Sequence, residues 1–162
     1  MPRFEGTFTI ADAKRWVGQE MALSDWLELD QSQVTAFGEL TNHDHWLHMD
    51  PARAVDESPY GGTIAQGFLM LDFIIYFSDQ TGLRPADSVY NLNYGYDKVS
   101  FIQPVPVGDT FRLRDRISLL DATHRDDGRC LMTTKHELEV NGIEGPVVYA
   151  EWLSLWTPAH AP

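Results

Sequence analysis

The sequence predicts an α+β domain in which an antiparallel sheet wraps around one long helix, and three observations carry the prediction. From Thr63 to about Gln80 the chain is apolar on nearly every side, and a helix with no polar face is one that is surrounded. Residues 110–122, 129–140 and 147–156 read as three long strands. Their connections, Arg125-Asp126-Asp127-Gly128 and Asn141-Gly142-Ile143-Glu144-Gly145, carry strong hairpin chemistry. The helices come first and the strands after, the order of an α+β rather than an α/β domain. A length of 162 residues suits one domain over residues 1–162.

Each element follows in order. Residues 4–8 read as an extended arm. Ile10, Ala13, Trp16 and Val17 stand at helical spacing behind a Thr9 cap, with Gly18 as the stop. Residues 24–29 alternate like a half-buried strand. Asp30 then caps a helix, with Gln33 completing a capping box. That helix turns Val34, Phe37 and Leu40 to one face and ends near Asn42. Asp50-Pro51 restarts a short helix through about Val55. Residues 58–62 are loop, and the apolar helix follows, with Gly82 beyond its end and Pro85 blocking continuation. Residues 89–94 and 96–101 read as strands interrupted at Gly95. Residues 103–109 form a proline-rich turn into the three-strand meander. There is no internal repeat or linker.

Composition excludes several functions. Twenty-four acidic residues against 12 basic ones leave a net charge of −12, the wrong balance for replacing counterions on nucleic acid. No apolar run is long enough for a membrane span, and the start has no signal-peptide core. A single cysteine, Cys130, cannot form an internal disulfide, which fits a reducing, cytoplasmic setting. A ligand bearing phosphates would need a local basic patch, for which Arg84, Lys98 and Arg112 are the candidates. Scattered surface cations are the commoner explanation. Trp152 and Trp156 share a strand face and read as core or interface.

The chemistry concentrates between Thr41 and Gly67. Three of the six histidines, His43, His45 and His48, fall in one short loop beside Asp44 and Asp50. Imidazole titrates near neutrality, so two close together can divide acid and base roles, with a carboxylate to orient them. The alternatives are a polar surface loop, with His48 capping a helix end, or a metal site. For the metal, no further ligand cluster supports the loop. Next comes Gly61-Gly62-Thr63-Ile64-Ala65-Gln66-Gly67. Unsatisfied N–H groups at a helix start can hold a developing oxyanion, although such glycines also serve a loop's own dihedrals. The glycine spacing matches no nucleotide-binding motif.

Phe37-Gly38-Glu39-Leu40-Thr41, His48-Met49-Asp50-Pro51, the 58–69 segment and Asn93 to Asp109 together resemble the MaoC-like family of (R)-specific enoyl-CoA hydratases. The resemblance implies a hot-dog fold, usually dimeric, and a substrate that is a thioester of coenzyme A or acyl carrier protein, with no separate cofactor or metal. It implies His48 as a catalytic residue and the Gly67 N–H as holder of the thioester oxygen. Gln66 stands where the family has histidine. Gly62, Phe68, Leu71 and Ile75 would bind or bound the acyl group. The family's catalytic aspartate position is His43 here, with Asp44 one place along, so an altered pair of His43 and His48 is expected. Three readings follow: hydration of 2-enoyl thioesters or its reverse, thioester binding without turnover, or a hot-dog thioesterase. For the last, Asp72 is the only acidic residue well inside the long helix, although it is expected to meet solvent or a dimer partner rather than substrate.

Overall fold

The computed structural model describes residues 6–159, so Phe4 and Glu5 of the anticipated arm lie outside the described residues. Residues 10–17 yield only a 3-10 turn, Ala13–Trp16, while Thr9 and Asp12 bond each other's backbone N–H. Two short strands follow, β1 (Glu20–Leu23) and β2 (Leu27–Leu29). β1 was not anticipated, and the strand expected over 24–29 shrinks to β2 because Ser24 turns into a bonded corner. Its N–H donates to the Asp115 carbonyl at 2.9 Å and its hydroxyl accepts from Asp115 N–H at 2.8 Å.

Helix α1 (Gln31–Thr41) has the capping box read from Asp30 and Gln33, and Asn42 ends it in the left-handed conformation at φ 54°. Val34 is buried and Phe37 packs on the core, but Leu40 is 82% exposed and belongs to the outer face. α2 (Trp46–Met49) and α3 (Pro51–Glu57) follow, with Asp50 capping α3 and Pro51 in its first turn.

The long helix, α4, is Gly67–Thr81. It begins later than the apolar run because residues 63–65 pair as extended chain with residues 105–107. Ala65 N–H donates to the Val105 carbonyl and Val107 N–H to Thr63, both at 2.9 Å. A short apolar run looks alike as strand or helix, and the partner segment lies too far along the chain for local pattern to settle it. Gly82 takes the cap at φ 71°. Nor is α4 surrounded on all sides. Leu69, Met70, Ile74 and Phe77 are buried, whereas Phe68 is 63% and Tyr76 43% exposed.

β3 (Ser88–Phe101), β4 (Phe111–His124), β5 (Cys130–Val140) and β6 (Pro146–Pro158) supply the rest. The sheet is antiparallel in the order β1-β4-β5-β6-β3, with β2 also on the β4 edge. The meander therefore spans β4 to β6, and β3 returns to lie beyond β6 rather than beside β4. Gly95 interrupts the register without ending β3: shifts flank it, and its φ of 156° accommodates the irregularity. One face of β5 (Cys130, Met132, Thr134, His136, Leu138, Val140) is buried, and α4 packs against β4, β5 and β6. This is a helix held by a sheet, as the strand and helix patterns predict.

Candidate active site

The capping box holds the start of α1, and the left-handed Asn42 reverses the chain at its end. His43 N–H closes that reversal by donating to the Gly38 carbonyl at 2.9 Å. Gly38 leaves room for the loop. A Cβ there would overlap Met49 Sδ and stand 2.8 Å from its Cε and 3.0 Å from the His43 carbonyl. The loop then enters α2, where His45 caps the helix by accepting the Leu47 N–H at Nδ1 (3.3 Å). His48, one turn along, is half-buried, its ring centroid 6.2 Å from that of His45.

His48 is held from two sides. Its Nδ1–H donates to the Ile64 carbonyl at 2.7 Å, which leaves Nε2 with a free lone pair. Its own carbonyl accepts from Gln31 Nε2, also at 2.7 Å. Burial pushes the imidazole pKa below its ordinary value. The bond to Ile64 opposes that shift, and the neighbouring His43 and His45 add to it.

His43 and His48 stand 5.1 Å apart between ring centroids at an interplanar angle of 71°. Both line a cleft of about 310 Å³ whose lining also includes Gly67, Phe68, Phe101 and Gln103. Gly67 opens α4, so its N–H has no acceptor within the helix and carries part of the helix's positive end. The ring of Phe101 lies against it: a Cβ at residue 67 would come within 2.7–2.9 Å of three ring carbons. Phe101 in turn meets Phe68 edge to face, with centroids 5.2 Å apart. An imidazole pair, a helix-start N–H and an apolar wall share one space, which suits proton transfer beside a developing oxyanion.

The fold thus brings together His43, His48, Gly67 and Phe68, and leaves the other anticipated residues elsewhere. Asp44, anticipated as a catalytic residue with the two imidazoles, is exposed and outside the cleft lining, because its one-place offset from His43 on a tight loop redirects the side chain. Gly62 stays in the preceding loop. Gln66 is 1% exposed and turns inward, its Nε2 donating to the Val34 carbonyl at 2.9 Å while Oε1 has no partner among the described residues. Leu71 is in the core. Ile75 borders a separate cleft near Asn93 and Trp152. Asp72 is exposed, and its charge raises the neighbouring Tyr96 pKa after burial has done so. Phe101, Gln103 and Gln31 were not anticipated at the site. Phe101 and Gln103 lay in a segment whose family likeness was noted, but only the β3 return brings that segment to the start of α4. Among the described residues, no group of three or more His, Cys, Asp or Glu is placed to hold a metal, and no helix is long and apolar enough to cross a membrane.

Comparison with known proteins gives the same direction. Nodulation protein N of Rhizobium leguminosarum bv. viciae is 34% identical over 149 residues, covering 91% of this chain and 90% of that protein. The 3-hydroxyacyl-thioester dehydratase Z of Mycobacterium tuberculosis is 34% identical over 147 residues, covering 88% and 92%. Among solved structures, the unliganded R-hydratase PhaJ1 from Pseudomonas aeruginosa superposes with a TM-score of 0.68 at 20% identity, covering 95% of this chain and 88% of that one. That likeness establishes the hot-dog fold. The family model described as the MaoC like domain matches residues 12–141, and the chain belongs to that family of hydratases and dehydratases.

Proposed function

We propose that the protein interconverts trans-2-enoyl thioesters and (R)-3-hydroxyacyl thioesters, carried on coenzyme A or acyl carrier protein, with His43 and His48 as an altered catalytic pair. The observation that carries this reading is the convergence of both imidazoles and the Gly67 N–H on one cleft. In the hydration direction, His48 Nε2 takes a proton from water as the oxygen bonds to the β-carbon. The alkene electron pair moves toward the thioester, and the Gly67 N–H stabilises the resulting enolate oxygen. The imidazolium then returns the proton to the α-carbon, so one water is added and nothing is left over. The donor strengthens as charge accumulates and so favours the transition state.

A carboxylate at residue 43 would favour protonated His48, whereas a neutral imidazole gives no such support. The low His48 pKa fits a neutral base at rest. No cofactor or metal enters this scheme. A homodimer is part of the proposal: among the described residues β3 ends the sheet with one edge unpaired, and Leu92, Tyr94 and Tyr96 on it are exposed, as is Phe68 of α4 against Phe101 at the end of the strand.

The test is loss of enoyl-thioester absorbance on mixing purified protein with crotonyl-CoA and longer enoyl-CoAs. His48→Ala is expected to lower kcat by about 10²- to 10⁴-fold, the usual worth of a positioned acid or base. One observation favours a second reading, an acyl-thioester binder without turnover: the cleft lining contains no carboxylate. It predicts binding without absorbance loss in wild type, and turnover created by His43→Asp. A thioesterase would release free thiol, and Asp72, the acidic residue well inside α4, lies outside the cleft.

A further inference from the structure

We propose that Gln31 is a positioning residue for this site, acting through His48; the proposal rests on the reading of His48 as the base. The Gln31 amide joins three pieces of chain that sequence keeps apart. Its Nε2 donates to the His48 carbonyl at 2.7 Å and to Thr35 Oγ1 at 3.3 Å, and its Oε1 accepts from the Thr63 hydroxyl at 2.6 Å. Thr63 is buried and directly precedes Ile64, whose carbonyl holds the His48 ring. Ile64 N–H in turn donates to the Leu47 carbonyl at 3.1 Å. These bonds close a circuit. The His48 main chain and the carbonyl that sets its tautomer are both tied, directly or through Thr63, to one side chain.

The orientation of that amide is not ambiguous. A flipped amide would set its oxygen 2.7 Å from the His48 carbonyl oxygen, acceptor against acceptor. Its anchorage is firm as well. Asp30 accepts the Ser32 N–H at 2.7 Å and Gln33 Oε1 accepts the Asp30 N–H at 2.9 Å, so capping uses the residues on either side and leaves Gln31 free to reach across. Gln31 does not line the cleft, so it touches neither substrate nor reacting atoms. Its effect passes through the height and rotation of the imidazole in the cleft that His48 shares with Gly67. Displacing a reacting group by about an ångström is enough to cost about 100-fold.

The experiment compares wild type with Gln31→Leu, which keeps bulk and loses all three bonds, and with Gln31→Glu, which keeps the bond from Thr63 but when ionised cannot donate to His48. NMR of ¹⁵N-labelled protein reads the His48 tautomer, and crotonyl-CoA hydration reads kcat and KM. The expected result is a mixture of His48 tautomers in both variants, with kcat down about 10- to 100-fold and KM nearly unchanged. In a His48→Ala background, Gln31→Leu should cost nothing more, because its effect has lost its carrier. Folded variants with the wild-type tautomer and kcat would overturn the proposal, as would an equal kcat loss with and without His48. If Gln31→Leu does not fold, Gln31→Glu decides. Absence of turnover in wild type would sink the hydratase reading, while the tautomer ratio would still decide the role of Gln31.

Discussion

At the scale of single residues, His48 links reactivity to stability through one pKa. A free histidine titrates near about 6.5, and burial holds His48 below that value. In the interval between the two values the unfolded chain binds a proton that the folded chain does not. The contribution of His48 to stability is therefore complete above about pH 6.5 and is lost as pH falls through the folded pKa. Urea midpoints measured against pH should drop on the acid side in wild type, and less so in His48→Gln. The same sign applies to turnover: the acid limb of kcat/KM for hydration should lie below about pH 6.5. Gly67 supports a second test. Adding a methyl group there meets the Phe101 ring, and overpacking of this kind costs about 1–3 kcal/mol. Gly67→Ala should lower the melting temperature and kcat together, and Phe101→Ala in the same chain should recover much of the stability.

At the scale of elements, the sheet contains a buried polar line that takes no part in the proposed chemistry. His136 Nδ1 donates to Asp115 Oδ2 at 2.6 Å, Thr134 Oγ1 meets His136 Nε2 at 2.8 Å, and both Asp115 and His136 are fully buried. Asp115 Oδ1 has no partner among the described residues. These bonds tie β4 to β5 and, through Ser24, to the corner before β2. Removing His136 leaves a carboxylate alone in the core, so His136→Leu should cost about 3–5 kcal/mol in denaturant unfolding. Replacing Asp115 and His136 together by apolar residues should cost much less, because no charge is stranded. Cys130, buried in the same sheet, has its thiol pushed up to about 11 by burial first and Asp121 second. It should resist alkylation in the folded protein.

At the scale of the whole molecule, β3 is the element with most left to do. It runs from Ser88 to Phe101 at the margin of the sheet, with Leu92 and Tyr94 about half exposed. A long apolar strand edge is a template for pairing, and the exposed Phe68 beside Phe101 extends that surface into the candidate active cleft. Sedimentation should show twice the mass of one chain, and Leu92→Lys should shift the protein toward monomer. Retained dimer in that variant would place the contact elsewhere.

Local chemistry made much of this legible. The Asp30 box, the Asp50-Pro51 restart, the Gly82 stop and both hairpins depend on neighbours along the chain, and residue order alone determined them. So did the clustering of His43 and His48 a short distance before Gly67. Tertiary structure decided what depends on distant partners. Pairing of residues 63–65 with 105–107 set where α4 begins, and the β3 return carried Phe101 onto Gly67. The pull of the Val34 carbonyl turned Gln66 away from the cleft. A hydrogen bond between segments far apart in sequence leaves no period and no spacing to read, so the reach of Gln31 to His48 exists only once the chain has closed.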